Sequence, residues 1–569
     1  VIIGGPTLTN TVTIPAGYVG RCRNIQVNGA TGTRVLTEAN AKLEIYGTVG
    51  SDTVGHSLLI IDNTKGTNSF TVFKRQTSGP LYGAKWDGAR PAYIRVIIDV
   101  PQNVTVWADT TFKSLRLTVT SGIFDLKNHD IRLDSTNSNS LKGHLYIGAG
   151  TTVKNVRAIY KFGTLSTQCS TVTVAGTLEI DSTIAVSAFK LIGKGTIKTK
   201  AVSAFTANPA VFDASSATAS GSVFEYARSG NQNIFGGASG VTYSGLMLSG
   251  SGQKIIGGTT PVTVNDSLIY SGTAIHSGTI NRSANMWLVY AGTSPMTTSS
   301  ELLSTSKKLK IRNTGGVTID KSLGAISDLW GQVGTLSTAS FSVSITSGGT
   351  LIRTKGTFSG NFTIPSDITL IYNNTDSIVT TNEMPSSVQN LKLQSTSVVR
   401  LANNLTVTGI CSLQSGRLQP GTKTLTFSNA SAVAATNGWI DGSMTVNINS
   451  VGTKLFPVGT ISDAHPVAVN FSSITNSGSV TAQVITSPHP NTQYGDSTLK
   501  HYWTFTKGGG FTTFNATMNF TYPENDIFNG GDENTYVAGK YDTPYWQFPN
   551  ISARNPATNS LTLSDVTTF

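Results

Sequence analysis

Leu370-Ile371-Tyr372 followed by Asn390-Leu391-Lys392-Leu393 is a phrase that this chain uses three times. The other copies are Phe224-Glu225-Tyr226 with Gly245-Leu246-Met247-Leu248, and Leu288-Val289-Tyr290 with Lys308-Leu309-Lys310-Ile311. From the Tyr to the first apolar residue of the second run is 20, 19 and 19 residues (226 to 246, 290 to 309, 372 to 391). Self-similarity on this scale marks a repeat architecture, in which each unit buries its apolar face only by stacking on its neighbours. A second pair agrees: Ser121-Gly122-Ile123-Phe124 runs on to Ile131-Arg132-Leu133, and Ser415-Gly416-Arg417-Leu418 to Leu425-Thr426-Phe427. Leu246, Leu309 and Leu391 are therefore expected to point inward on equivalent strands.

Short runs such as Thr11-Val12-Thr13-Ile14, Lys42-Leu43-Glu44-Ile45, Thr177-Leu178-Glu179-Ile180 and Leu405-Thr406-Val407 alternate apolar with polar residues. Gly, Asn, Ser or Asp bounds each of them, the signature of strands and turns. Helical periodicity is confined to 300–308. Two-residue hairpin turns of the Asn-Gly kind are rare, so parallel coiling explains the pattern better than hairpins do. After about Trp439 the texture changes to longer strands and dense aromatics, including Trp503, Phe505, Phe511, Phe514 and Phe520. The expected fold is all-β: a right-handed parallel β-helix, or solenoid, over 1–440, followed by an antiparallel β-sandwich over 441–569 that caps it.

Charged residues make up only 12% of the chain, about half the usual share of roughly 25%. Solubility then rests on Ser, Thr, Asn and Gly. The net charge of +11 is densest at Lys190, Lys194, Lys198 and Lys200, and at Lys307, Lys308, Lys310 and Arg312. Such residues protect strands from edge pairing when they point outward, and without interleaved aromatics they do not describe a nucleic-acid groove. Cys22, Cys169 and Cys411 are too few and too scattered for a disulfide framework or a zinc motif, and are read as small buried residues. No apolar run approaches the roughly 18 residues of a membrane span. The start at Val1-Ile2-Ile3 is read as following a secretion signal already removed.

The segment Gly452-Thr453-Lys454-Leu455-Phe456-Pro457-Val458-Gly459-Thr460, with His465-Pro466-Val467-Ala468-Val469 after it, resembles a stretch of large surface proteins exported by the type IX secretion system of Bacteroidota. The Tyr-initiated repeats, the region Asn24-Ile25-Gln26-Val27 to Leu43-Glu44-Ile45-Tyr46-Gly47, and His501-Tyr502-Trp503-Thr504 are similar to the same proteins. The resemblance implies export to the cell surface or medium of a Gram-negative bacterium, with roles in adhesion, matrix or gliding, and no particular chemistry. Members usually carry a C-terminal sorting domain, and none is visible in this sequence. Bacteroidota also O-glycosylate Asp-Ser/Thr-aliphatic triplets, which places candidate sites at Thr53, Ser267 and Ser377.

A β-helix also serves polysaccharide lyases and hydrolases, so catalytic patterns need testing. Hydrolysis requires two carboxylates facing one groove, and the best local cluster is Asp125, Asp130 and Asp134. In the aligned unit Asp125 becomes Gln419 and Asp130 becomes Thr424, as befits ordinary polar positions of a coil. Arg90-Pro91-Ala92-Tyr93-Ile94-Arg95 carries lyase-like letters at the wrong spacing. The seven histidines include no pair at metal-ligand spacing. Glu524, Asp526, Asp532 and Glu533 around Gly530-Gly531 form an acidic loop whose oxygens suit Ca2+, and Tyr541, Tyr545 and Trp546 are candidates for stacking on sugar rings.

The expectation is a secreted structural or adhesive protein, a stalk, matrix or filament component and not an enzyme, with no cofactor apart from that candidate Ca2+ loop. Its partners are expected to be further copies of itself, head to tail through Val1, Ile2 and Ile3, or cell-surface and secretion components, with polysaccharide as another candidate. Nucleic acid is not expected. The alternatives are a carbohydrate-active β-helix enzyme and a lectin-like protein using the C-terminal sandwich.

Overall fold

The computed structural model describes residues 2–3, 11–27, 34–51, 60–62, 70–81, 95–108, 111–114, 116–133, 143–161, 171–205, 209, 211–214, 221–257, 261–428, 433–492, 498–527 and 532–569. They fall into two compact units, Val1–Val289 and Tyr290–Phe569.

In the first unit, strands one coil apart pair in parallel, and the register lines up one apolar residue per coil. One ladder runs Val96, Leu117, Leu145, Val172, Phe189, Phe212. A second runs Val106, Phe124, Val153, Leu178, Ile197, Phe224, Leu246, Leu268, and every member of this second ladder is fully buried. Successive side chains of a strand point to opposite faces, so alternation in the sequence becomes an apolar interior and a polar exterior. Each buried member contributes roughly 1.5–3 kcal/mol of transfer free energy, which a single coil cannot realise alone.

The second unit begins with the same design. Its interior ladder is Leu309, Leu329, Leu351, Leu370, Leu391, Cys411, Val433. Leu246, Leu309 and Leu391 thus sit buried on parallel strands, as the repeat predicts. Cys411 takes a leucine's place in the ladder, and burial pushes its thiol up to about 12. Cys169 lies outside the described residues.

The repeat also holds a polar turn that the sequence reading passes over. Tyr290 donates to Glu301 at 3.0 Å and Tyr372 to Glu383 at 3.3 Å. Each buried glutamate also accepts the backbone N–H two residues before it, from Ser299 and Thr381, both at 2.9 Å. The segment 300–308, the candidate for a helix, is instead irregular, with turns at 300–301 and 304–305 before the strand Lys308–Asn313 begins, because the Glu301 carboxylate holds the backbone in a loop. Gly122 and Gly416 share a left-handed φ of +80°, which explains the Ser-Gly pair. Beyond it the two copies diverge: Ile131–Leu133 continues the strand Ile123–Leu133, whereas Leu425–Phe427 is a strand of its own in another sheet.

Parallel pairing gives way to antiparallel pairing within one strand. Val446, in Met444–Ile448, continues the ladder Val388, Val407, Phe427 in parallel and faces Val480 across an antiparallel pairing. The last parallel contact joins Ile440–Asp441 to Val458–Gly459, so the change is spread over 444–459 and is not a cut at 440. Beyond it Met444–Ile448, Gly478–Ile485 and Tyr502–Gly509 form one antiparallel arm. Gly452–Phe456, Val467–Thr475, Thr513–Thr521, Ser560–Val566 and Ile551–Asn555 form a second sheet. Rings from both meet between them: Trp503 with Phe520 at 5.0 Å, Phe456 with Phe505 at 6.2 Å.

Candidate functional site

Three segments far apart in the chain meet beside the start of the Val467–Thr475 strand. The first is the turn Gly459 to His465. Thr460 Oγ1 accepts from the backbone of Ser462 and Asp463, and the Thr460 N–H donates to the Asp463 carbonyl at 2.8 Å. Gly459 is required there, since a Cβ would lie 2.5 Å from both the Asp463 carbonyl and the Trp439 ring. Pro466 biases the residue before it to an extended backbone, and the His465 N–H reaches the Val458 carbonyl at 2.8 Å.

The second segment contributes His501, immediately before the Tyr502–Gly509 strand. The third is the single turn Glu524–Asp526 after Pro523, closed by the Asp526 N–H on the Pro523 carbonyl at 3.0 Å. Because Val467 pairs with Phe520, the residue just before one strand and those just after the other are brought to the same place.

His465 is completely buried, Asp526 nearly so, and His501 keeps 14% of its side-chain surface. His465 Nε2 lies 2.6 Å from Asp526 Oδ2, and its Nδ1 lies 3.0 Å from the Asp463 carbonyl oxygen. His501 Nδ1 lies 2.7 Å from Asp526 Oδ1. That contact is not a hydrogen bond: the ring nitrogen is not aimed at the oxygen, and Nδ1 is buried without a hydrogen-bond partner. The two imidazoles are 4.6 Å apart, and Trp503 Nε1 donates to the His465 carbonyl at 3.0 Å. Among the described residues this is the one group of three whose ligand atoms converge, all within 4.8 Å of one another.

No local motif joins these residues, because His465, His501 and Asp526 are far apart in the sequence. Each nonetheless lies in a segment that the sequence marks: His465-Pro466-Val467 and His501-Tyr502-Trp503 carry the resemblance, and Asp526 belongs to the acidic loop. The expected Ca2+ quartet does not come together. Glu524 accepts from Asn559 at 3.1 Å, Glu533 from the Tyr522 hydroxyl at 2.7 Å, and Asp532 caps its own turn at the Asn534 N–H. The Pro523 turn sends Asp526 inward, away from these three.

The other candidates fall apart in space. Asp125 accepts from the Lys127 N–H and Asn155, both at 2.9 Å. Asp130 is held by two nitrogens of Arg157 at 2.8 and 2.7 Å. Asp134, the residues Arg90 to Ile94, Thr53 and Val1 lie outside the described residues. Ser267 is half-buried opposite Gly245, while Ser377 is exposed. Among the described residues Ile2–Ile3 is the end strand of its sheet, paired in parallel with Gln26 and Val27. In the lysine cluster Lys308 faces Asp328 at 3.4 Å, and Lys310 lies 3.5 Å from the centre of the Trp330 ring, both register partners on the next coil. Tyr541 and Trp546, with Tyr502, surround His489 at 4.9 Å each.

Comparison of the chain with protein-family models, with curated proteins and with solved structures found no match.

Proposed function

We propose that the chain is an extracellular structural or adhesive protein, a scaffold of stacked coils displayed on, or released from, the surface of a Gram-negative bacterium. One observation supports this most: three carboxylates of the coils are tied to arginines of the coils. Asp130 is held by Arg157 from the next coil, Asp441 by Arg417 at 2.6 Å, and Glu383 by Arg353. A general acid or base must reach the proton it transfers on a substrate, and these three are instead held by guanidinium groups, with the Gln419 amide added at Asp441 and the Thr381 N–H and Tyr372 hydroxyl at Glu383. The resemblance to type IX secreted surface proteins supplies the route of export. Further copies of the chain or other surface components are its partners in this reading.

The test combines immunogold electron microscopy of the native cells with incubation of the purified chain on neutral and acidic polysaccharides. Label on the cell surface or its matrix, without turnover, is the expected result. Turnover abolished by Asp125→Asn or Asp130→Asn, or label confined to the cell interior, overturns the reading.

A second reading, glycan binding, is favoured by the hairpin Lys540–Asp542 and Tyr545–Gln547. Tyr545 and Phe548 leave 74% and 71% of their surfaces in solvent next to Trp546, and exposed rings of this kind stack on sugars. Retention on glycan columns that Tyr545→Ala abolishes would favour it.

A further inference from the structure

We propose that His465, His501 and Asp526 form a binding site for one divalent transition metal ion of the zinc class, with a coordination position left for water or an outside ligand. At this site two acceptors face each other. The Asp463 carbonyl cannot donate, so the contact at His465 Nδ1 puts a proton on that nitrogen. This tautomer leaves Nε2 with a lone pair, and the lone pair looks at a carboxylate oxygen 2.6 Å away. Two acceptors held that close in a buried place require a cation between them, either a proton or a metal.

Two further features select the metal. A backbone carbonyl that orients the far nitrogen of a ligating histidine is the usual outer support of a metal site, since it sets the tautomer and raises ligand basicity. His501 Nδ1 approaches the same carboxylate without aiming at it. Its in-plane lone pair passes beside the oxygen, the direction needed when ring and carboxylate share an ion. Two imidazoles and one carboxylate are a zinc-type donor set, whereas Ca2+ asks for six to eight oxygens.

Zinc bonds of about 2.0–2.1 Å in a tetrahedron separate ligand atoms by about 3.3 Å. The two short contacts therefore open by about 0.6 Å when the ion enters. His501 supplies that movement: it precedes its strand and reaches solvent, which also gives the ion a way in. Lys500, the one ammonium next to the site in sequence, is engaged with the Asn525 carbonyl.

The test uses the full 569-residue chain, stripped with a chelator and titrated with Co2+ and then Zn2+. One equivalent of Co2+ should give the intense visible bands of a four-coordinate site, and Zn2+ should abolish them. His501→Ala, at the partly exposed position, should lose the bands and weaken Zn2+ binding by on the order of 100-fold with an unchanged circular dichroism spectrum. Asp526→Asn should do the same, and His489→Ala should bind as the wild type does. Absence of the bands in the wild type, or Zn2+ binding that His501→Ala leaves unchanged, overturns the proposal and leaves a shared proton as the cation.

Discussion

Arg353 and Glu383 place opposite charges inside a coil, 4% and 0% exposed. Arg353 stands one coil before Tyr372 in register, in line with Gly331 on its other side. Arg353 Nε and Nη1 also donate to the carbonyls of Gly356 and Val379 respectively, both at 2.8 Å. Removing one member leaves the other buried and unpaired, so Glu383→Ala is expected to cost about 3–5 kcal/mol in urea unfolding. The double change Arg353→Met, Glu383→Leu should cost less than either single change; equal additive losses would contradict the pairing. Lys254 and Lys310 carry the opposite lesson. Burial, then the neighbouring Arg228 and Arg312 respectively, lowers each ammonium to about 8 from 10.5. Lys254 is fully buried against the Arg228 carbonyl and Gln232. Between those values the unfolded chain holds protons that the folded chain has released, so stability rises with pH from about 8 to 10.5 and is lowest below 8, where the buried ammonium must be charged. The rise between pH 8 and 10 in the wild type should shrink in Lys254→Met. An identical rise in both proteins would remove Lys254 from the account.

Among elements, the strand Met444–Ile448 decides most. It accepts a coil strand on one side in parallel and Gly478–Ile485 on the other in antiparallel sense, so it needs backbone donors on both edges. Proline offers none and is excluded from central strands. Val446→Pro is therefore expected to release the residues beyond 444 to limited proteolysis while strands such as Asn390–Arg400 stay protected. Protection of the C-terminal sheets in that variant would show that they fold without this junction. The coil strands themselves were legible in the sequence, because period-two alternation and the recurrence near 20 residues are both local. The junction was legible only as a change of texture near Trp439. Nothing in the letters Met444-Thr445-Val446-Asn447-Ile448 says which neighbour runs which way. The missed turn at 300–308 has the same origin: Glu301 reads as helix-compatible until Tyr290, 11 residues earlier (301 − 290), is seen to donate to it.

For the molecule as a whole, a stack of coils derives its stability from each coil and from its interfaces with its neighbours. Damage should then stay local. Leu391→Ala, in the leucine ladder, is expected to cost about 2–5 kcal/mol at its site. Hydrogen exchange should quicken across 368–413 and remain unchanged at 117–147. A uniform loss of protection along the chain would mean that it unfolds as one cooperative body.

The all-β class, the parallel coil and the inward leucines are legible in the chain's letters alone. Those features follow from side-chain alternation within a strand and from partners one repeat away, both of which leave a period in the letters. The meeting of His465, His501 and Asp526, the separation of Asp526 from Glu524, Asp532 and Glu533, and the charge pair of Arg353 with Glu383 exist only once the chain has folded. These depend on which strand ends antiparallel pairing brings together and which way a turn directs one side chain. Antiparallel order among non-repeating strands has no period, so the residues that share the site carry no common signal until the sheets form.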